Sequence, residues 1–220
     1  MSALHREFKA VIFDMDGVIV NSEPLHEVAF LETFDELGYG DTHGIRFADY
    51  LGRSDRAVWN AFIDRHQPRQ SMEELTDLKE SRLIHVLRKT EPLFPDAPRI
   101  IDALSQRYPL AVASGSVHRV IAEVLKLRDL RRFFRAVVSA EDVKQGKPAP
   151  DIFLRTAMLL GVQPEECCVI EDTTAGVEAA RAARMPVIAI TNTYPAHELH
   201  RADLVVSDYS EIEKVLLRPQ

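Results

Sequence analysis

The chain has little of what would tie it to a membrane, to nucleic acid or to an oxidising compartment. No apolar run approaches the roughly 20 residues that a bilayer span requires, and MSALHREFKA at the start holds no secretory apolar segment. Only two cysteines occur, Cys167 and Cys168, side by side inside the apolar run CCVI. They are expected to be core thiols of a protein from a reducing compartment, with the cytoplasm as the expected location. Basic residues number 27 against 34 acidic ones, a net charge of −7, which argues against a nucleic-acid or anionic-membrane surface. No G-x-G-x-x-G follows the first apolar run, and QGKPAP puts proline where a phosphate-binding P-loop has Ser or Thr.

What is present is a balanced globular composition, 46% hydrophobic and 28% charged, in 220 residues. Six short apolar runs recur: AVIF (10–13), LAVA (110–113), AVV (136–138), CCVI (167–170), PVIAI (186–190) and LVV (204–206). They are continuous instead of alternating, the pattern of strands covered on both faces. Helical patterns lie between them at 98–107, 117–127, 151–160 and 175–184. Strand alternating with helix predicts βαβ units, and so an α/β fold with a doubly wound parallel sheet. The interval 22–90 breaks the rhythm, with amphipathic patterns at 24–37, 55–66 and 72–88 and no convincing strand. It is expected to be an inserted all-helical cap domain, leaving 1–21 and 91–220 as the α/β core. Trp59 is expected in the core of that insert.

In an open parallel sheet ligands meet the carboxyl ends of the strands. Asp14 and Asp16 follow the first run, Ser114-Gly115-Ser116 the second, a loop with Lys147 the third, and Glu171-Asp172 the fourth. Asp14 and Asp16 alone would serve an ordinary polar turn; with the other strand ends they become part of a cluster drawn from distant sequence. Converging carboxylates repel unless a cation joins them, and Mg²⁺ is the usual partner of carboxylates that also meet a phosphate. Ser114 and the helix start beyond it offer a hydroxyl and backbone N–H groups for an anion. Lys147 adds a positive charge for phosphate oxygens. The set reads as a metal-assisted phosphoryl-transfer site, in which one aspartate attacks phosphorus and its neighbour handles protons.

The segments FDMDGVIVNSEPLH, ASGS, GKPAPDIF and IEDTTAGVEAA, in this order, resemble the haloacid dehalogenase superfamily of phosphotransferases. The fit is to the subgroup with a helical cap after the first strand, which holds β-phosphoglucomutase and many sugar-phosphate and phosphoglycolate phosphatases. The resemblance implies that Asp14 is the nucleophile forming an aspartyl-phosphate and Asp16 the general acid/base. It implies that Ser114, with Gly115 beside it, binds phosphate while Lys147 bridges phosphate and Asp14. It also implies that Mg²⁺ is held by Asp14, the backbone carbonyl of Asp16, and Asp172, with Glu171 reaching the metal directly or through water. Thr173 stands where the pattern more often has serine, and Asp96 where it usually has glycine.

In the insert, His26 lies at the spacing of the hinge histidine of β-phosphoglucomutase-like proteins. Gly52, Arg53 and Arg56 of LGRSDR are expected in a loop facing substrate, and Lys79 sits near a position where the family often carries an active-site lysine. The mutase has arginine where this chain has Asp55, which favours a phosphatase acting on a small phosphorylated metabolite over the alternative, a β-phosphoglucomutase-like isomerase. A cap over the site would let a monomer suffice.

Overall fold

The computed structural model describes residues 7–50 and 55–218. Two compact units emerge, one formed by Met1–Asn21 with Pro92–Gln220 and the other by Ser22–Glu91.

The first unit is built on a six-stranded parallel sheet. Its strands are β1 (Ala10–Phe13), β2 (Leu110–Ala113), β3 (Phe134–Val138), β4 (Cys167–Glu171), β5 (Val187–Ile190) and β6 (Leu204–Val206), in the order β3-β2-β1-β4-β5-β6. Every neighbouring pair is parallel. All six apolar runs of the sequence are strands, and β1, β2, β4 and β5 are buried throughout, as continuous apolar runs demand. Cys167 and Cys168 are free buried thiols of β4. The chain builds β2 and β3 on one side of β1 and then crosses to β4 on the other side. That reversal at β1 opens a crevice at its carboxyl end.

The crossovers run through α4 (Ala97–Ser105), α5 (His118–Lys126), α6 (Asp151–Leu160), α7 (Thr174–Ala182) and, at the end of the unit, α8 (Tyr209–Leu216). Each buries one apolar stripe, for example Val120, Ile121, Val124 and Leu125 of α5. The last helix has no counterpart in the periodicity reading. It is only eight residues long and begins at a polar cap, Asp208, whose carboxylate accepts from the amides of Ser210 (2.8 Å) and Glu211 (3.2 Å).

The second unit holds α1 (Glu23–Glu36), α2 (Asp55–His66) and α3 (Met72–Thr90), with no strand among its described residues. Proline in its first turn suits α1, and a reciprocal Ser71–Glu74 capping box starts α3. Its core is aromatic. Trp59 is fully buried with Phe30 (4.9 Å between ring centroids), Phe34 (5.6 Å) and Phe62 (5.8 Å). Trp59 is the sole tryptophan, so its fluorescence reports on this unit alone. Phe62→Ala removes a buried ring, and we expect it to lower the unit's stability by about 3–5 kcal/mol. In urea the Trp59 emission transition should move to lower denaturant; an unmoved midpoint would refute this packing.

Candidate active site

Four loops of the first unit bring their polar residues to the carboxyl edge of the sheet. Asp14 follows β1, and its amide donates to the Ile170 carbonyl of β4 at 2.9 Å. Ser114 follows β2, Lys147 lies between β3 and α6, and Glu171 and Asp172 close β4. The Lys147 ammonium bonds both Asp14 and Glu171 and sits 5.1 Å over the Phe153 ring. Asp14, Glu171 and Asp172 each offer a carboxylate oxygen within 4.8 Å of the others, and all three are buried. Three buried carboxylates thus share one ammonium.

The imbalance shows in their protonation. Burial pushes the Asp14 carboxyl up to about 8; Lys147 pulls it back, and Glu171 and Asp16 add to the rise. Asp172 is pushed up to about 9 by burial, then by Glu171 and Asp14. Lys147 moves the other way from a buried amine in apolar surroundings. Burial opposes its charge, but Asp14 and Glu171 outweigh that and push it well above the ordinary lysine value. One oxygen of Asp172, Oδ1, is buried without a hydrogen-bond partner among the described residues. A carboxylate oxygen in that position, beside two more carboxylates, fits a hard cation with oxygen ligands.

Small residues make room for the acids. Gly17, at φ +76°, lies so close to Asp172 that a Cβ would fall 1.8 Å from its Oδ2. A Cβ on Gly176 would fall 1.8 Å from Glu171 Oε1. Glu171 Oε2 accepts from the amides of Asp172 (2.9 Å) and Thr173 (3.0 Å) and from the Thr173 hydroxyl (3.0 Å). The same Thr173 hydroxyl accepts from the Gly176 amide at 3.0 Å, capping α7. Threonine therefore supplies the hydroxyl that serine would supply in its place.

Asp16 stands apart from the three clustered acids. Its Oδ2 accepts from Ser114 Oγ at 3.2 Å and from Ser116 Oγ at 2.8 Å. Ser114 Oγ in turn accepts from the Ser116 amide at 3.0 Å. The Ser114 hydroxyl, expected to bind phosphate, is here directed to Asp16, with exposed Gly115 between the two serines. Ser116 was not singled out by the sequence; its sign is simply a second serine at the same strand end.

The sequence reading also passed over the end of β5. The Asn192 amide donates to the Gly17 carbonyl at 2.7 Å, Tyr209 Oη donates to the Val18 carbonyl at 2.6 Å, and the Thr193 hydroxyl bonds Asp172. These groups hold the loop carrying Asp16 and Gly17 against Asp172. TNT after PVIAI was the available signal, a polar cluster at a fifth strand end.

Within the second unit, Lys79 is not on a solvated helix face. Its side chain is 1% exposed, with Nζ 2.6 Å from Asp55 Oδ2 and 2.6 Å from His26 Nδ1, and 5.1 Å over Phe30. His26 and Asp55 keep exposed edges, and the Asp55 carboxyl is held far below the usual range by His26 and Lys79 against the opposing effect of burial. A buried lysine survives there because its charge is paired. Asp55 and Arg56 begin α2 instead of lying in a loop. Gly52 and Arg53 lie outside the described residues.

Residues 11–190 match the haloacid dehalogenase-like hydrolase family. The chain belongs to that family. It is 35% identical over 192 residues to fructose-1-phosphate phosphatase YqaB of Escherichia coli, covering 85% of this chain and 98% of the relative. It is also 35% identical over 218 residues to hexitol phosphatase B of the same organism, covering 94% and 95%. Among solved structures it is similar to CbbY of Rhodobacter sphaeroides in complex with phosphate, at 26% identity and a TM-score of 0.81, covering 93% of this chain and 96% of that one. The chain is accordingly an enzyme of the phosphoric monoester hydrolase class. No helix among the described residues of this hydrolase is long and apolar enough to cross a membrane.

The acidic cluster sets a pH signature for the metal-free protein. Asp14 and Asp172 keep their protons in the fold at pH values where the unfolded chain, near the ordinary aspartate value of 3.8, has released them. Their contribution to stability is therefore fully present below 3.8 and is lost as pH rises towards about 8 and about 9. With chelator present, the Tm should fall between pH 5 and 8, and Mg²⁺ should restore more of it at pH 8 than at pH 5. Asp172→Asn should flatten both effects; a variant retaining the wild-type pH slope and Mg²⁺ response would refute the assignment.

Proposed function

We propose that this hydrolase is a Mg²⁺-dependent phosphatase acting on a phosphate monoester of a sugar or sugar alcohol through an aspartyl-phosphate on Asp14. The observation that carries the reading is the buried cluster of three carboxylates with one lysine, in which Asp172 Oδ1 has no partner among the described residues. The relatives' activities support the substrate class: one is a fructose-1-phosphate phosphatase and the other a hexitol phosphatase.

The residues divide the chemistry by position. Asp14 and Asp172, with the backbone carbonyl of Asp16, would hold Mg²⁺, which favours the ionised form of both carboxyls and offsets the charge of the transferring phosphoryl group. Asp14 Oδ attacks phosphorus while the bond from phosphorus to the ester oxygen breaks. Asp16, as carboxylic acid, gives its proton to the departing alkoxide, so the sugar leaves as a neutral alcohol. Asp16, now a carboxylate, takes a proton from the water that attacks the same phosphorus. The acyl-phosphate bond breaks, phosphate leaves and the Asp14 carboxylate returns. Ser114 and Ser116 hold one oxygen of Asp16 and keep that residue apart from the metal-binding acids.

Glu171 acts through Lys147. Its Oε2 is taken by three donors and its Oε1 faces the ammonium. Lys147 is thereby fixed beside Asp14, charged at any working pH, where it neutralises phosphate oxygens during transfer.

Asp14→Asn should reduce phosphate release from fructose 1-phosphate and from hexitol phosphates by roughly 10³-fold or more, and excess chelator should do the same to the wild type. Retained Mg²⁺-dependent turnover in Asp14→Asn would overturn the nucleophile. Appearance of glucose 6-phosphate from β-glucose 1-phosphate, without phosphate release from any monoester, would replace the phosphatase by the mutase reading. Gly176→Ala should lower kcat by displacing Glu171, with Lys147→Arg failing to compensate; unchanged kcat would show that Glu171 has room to move.

A further inference from the structure

A second polar cleft lies at the other edge of the sheet. It occupies about 470 Å³ between the end of α7, the start of β5 and the segment before β6. Arg181, Arg184 and Arg201 surround it, with Glu178 and Asp203, over a floor that includes Met185 and Pro186. The catalytic acids sit at the opposite end of α7. With a rise of 1.5 Å per residue, this nine-residue helix separates the two places by about 13 Å.

The charges in the cleft are already partly arranged. Arg201 Nη1 donates to Glu178 Oε1 at 2.8 Å, and Arg181 Nη1 donates to the Arg201 carbonyl at 2.9 Å. Asp203 is engaged elsewhere, its Oδ2 accepting from the Val187 amide at 2.9 Å. That leaves Arg181 and Arg184 with no carboxylate, and the Arg184 guanidinium has no partner among the described residues. Three guanidinium groups face two carboxylates, in a chain whose net charge is −7.

Arg184 has a backbone cost as well. Its φ is +61°, the left-handed conformation just past the end of α7, where glycine is the unstrained choice. The Met185 amide closes the helix end on the Ala180 carbonyl at 2.9 Å, so the conformation is built in. A basic residue to complement the helix dipole is already supplied by Arg181 in the last turn. A strained arginine, exposed and unpaired in a cleft beside two others, points to a ligand that its side chain meets.

We propose that this cleft is a binding site, separate from the catalytic centre, for a small metabolite carrying two phosphoryl groups. The planar forks of Arg181 and Arg184 suit phosphoryl oxygens in bidentate fashion, and Arg201 is held in place by Glu178 for a third contact. Two anionic groups match a cleft with two arginines free of carboxylates, and the Met185–Pro186 floor leaves space for a short apolar body. The site does not depend on the substrate assigned to the catalytic centre.

The test is calorimetric titration with methylenediphosphonate, which no phosphatase cleaves, in chelator and at low salt. Wild type and Lys147→Ala should bind it with the same affinity, weakening as salt is added. Arg184→Gly should weaken binding at least tenfold while raising Tm by a few degrees, because glycine accepts the left-handed conformation and the fold stays intact. Arg201→Ala, away from the strained position, should weaken it as well. Equal affinity in Arg184→Gly and wild type would overturn the proposal. So would loss of binding in Lys147→Ala, which would place the diphosphonate at the catalytic centre, or absence of binding at 10-fold molar excess over millimolar protein.

Discussion

The whole carboxyl edge of the sheet is organised around an electrostatic deficit. Asp14, Glu171 and Asp172 are drawn out of water within reach of one another, and Lys147 is the only cation bonded to any of them among the described residues. Left so, burial and mutual repulsion hold protons on Asp14 and Asp172 and take away the charge that chemistry needs. A divalent cation reverses both effects. The arrangement is thus poor as a protein interior, and it suits the proposed role of a metal and phosphoryl receptor, for which local stability would be given up.

The supporting residues follow from the same constraint. Acids packed this tightly need neighbours without side chains, which is why glycine faces Asp172 at position 17 and Glu171 at position 176. They also need donors that do not move, and backbone amides at the start of α7 supply them to Glu171. Asp16 is kept out of the cluster by two serines, so residues of one type two positions apart meet different surroundings. The division of labour proposed for Asp14 and Asp16 would then be a matter of placement, not of residue type.

Much of this was legible in the chain. Continuous apolar runs marked all six strands, because strands covered on both faces have no polar face to interrupt them. Polar residues after four of those runs pointed to one sheet edge, and the family likeness gave them roles. The fifth strand end and the start of α8 went unread because Asn192, Thr193 and Tyr209 act through backbone carbonyls and a neighbouring acid, contacts that carry no spacing rule. Helix α8 went unread because eight residues hold little periodicity. Lys79 illustrates a different limit. The sequence placed it near a position of the family's active-site lysine, and only the fold shows that Asp55, a distant residue in sequence, pairs with it out of water.

The pairing at the joint between the two units bears on how the chain folds. β1 is the central strand, yet its partner β2 begins only at Leu110, with the whole of Ser22–Glu91 in between. The Asn21 amide meets the Pro92 carbonyl at 2.9 Å, and the Phe94 amide meets the Ile19 carbonyl at 3.1 Å. Once these bonds form, the ends of the insertion are held together and its length no longer counts in closing the loop from β1 to β2. Each halving of an open loop lowers the closure entropy by about 0.6 kcal/mol. The short ribbon at Asn21 and Pro92 thereby acts as a topological short circuit: it lets the sheet carry a 70-residue insertion, Ser22–Glu91, in its first crossover while the central strands still find each other as near neighbours.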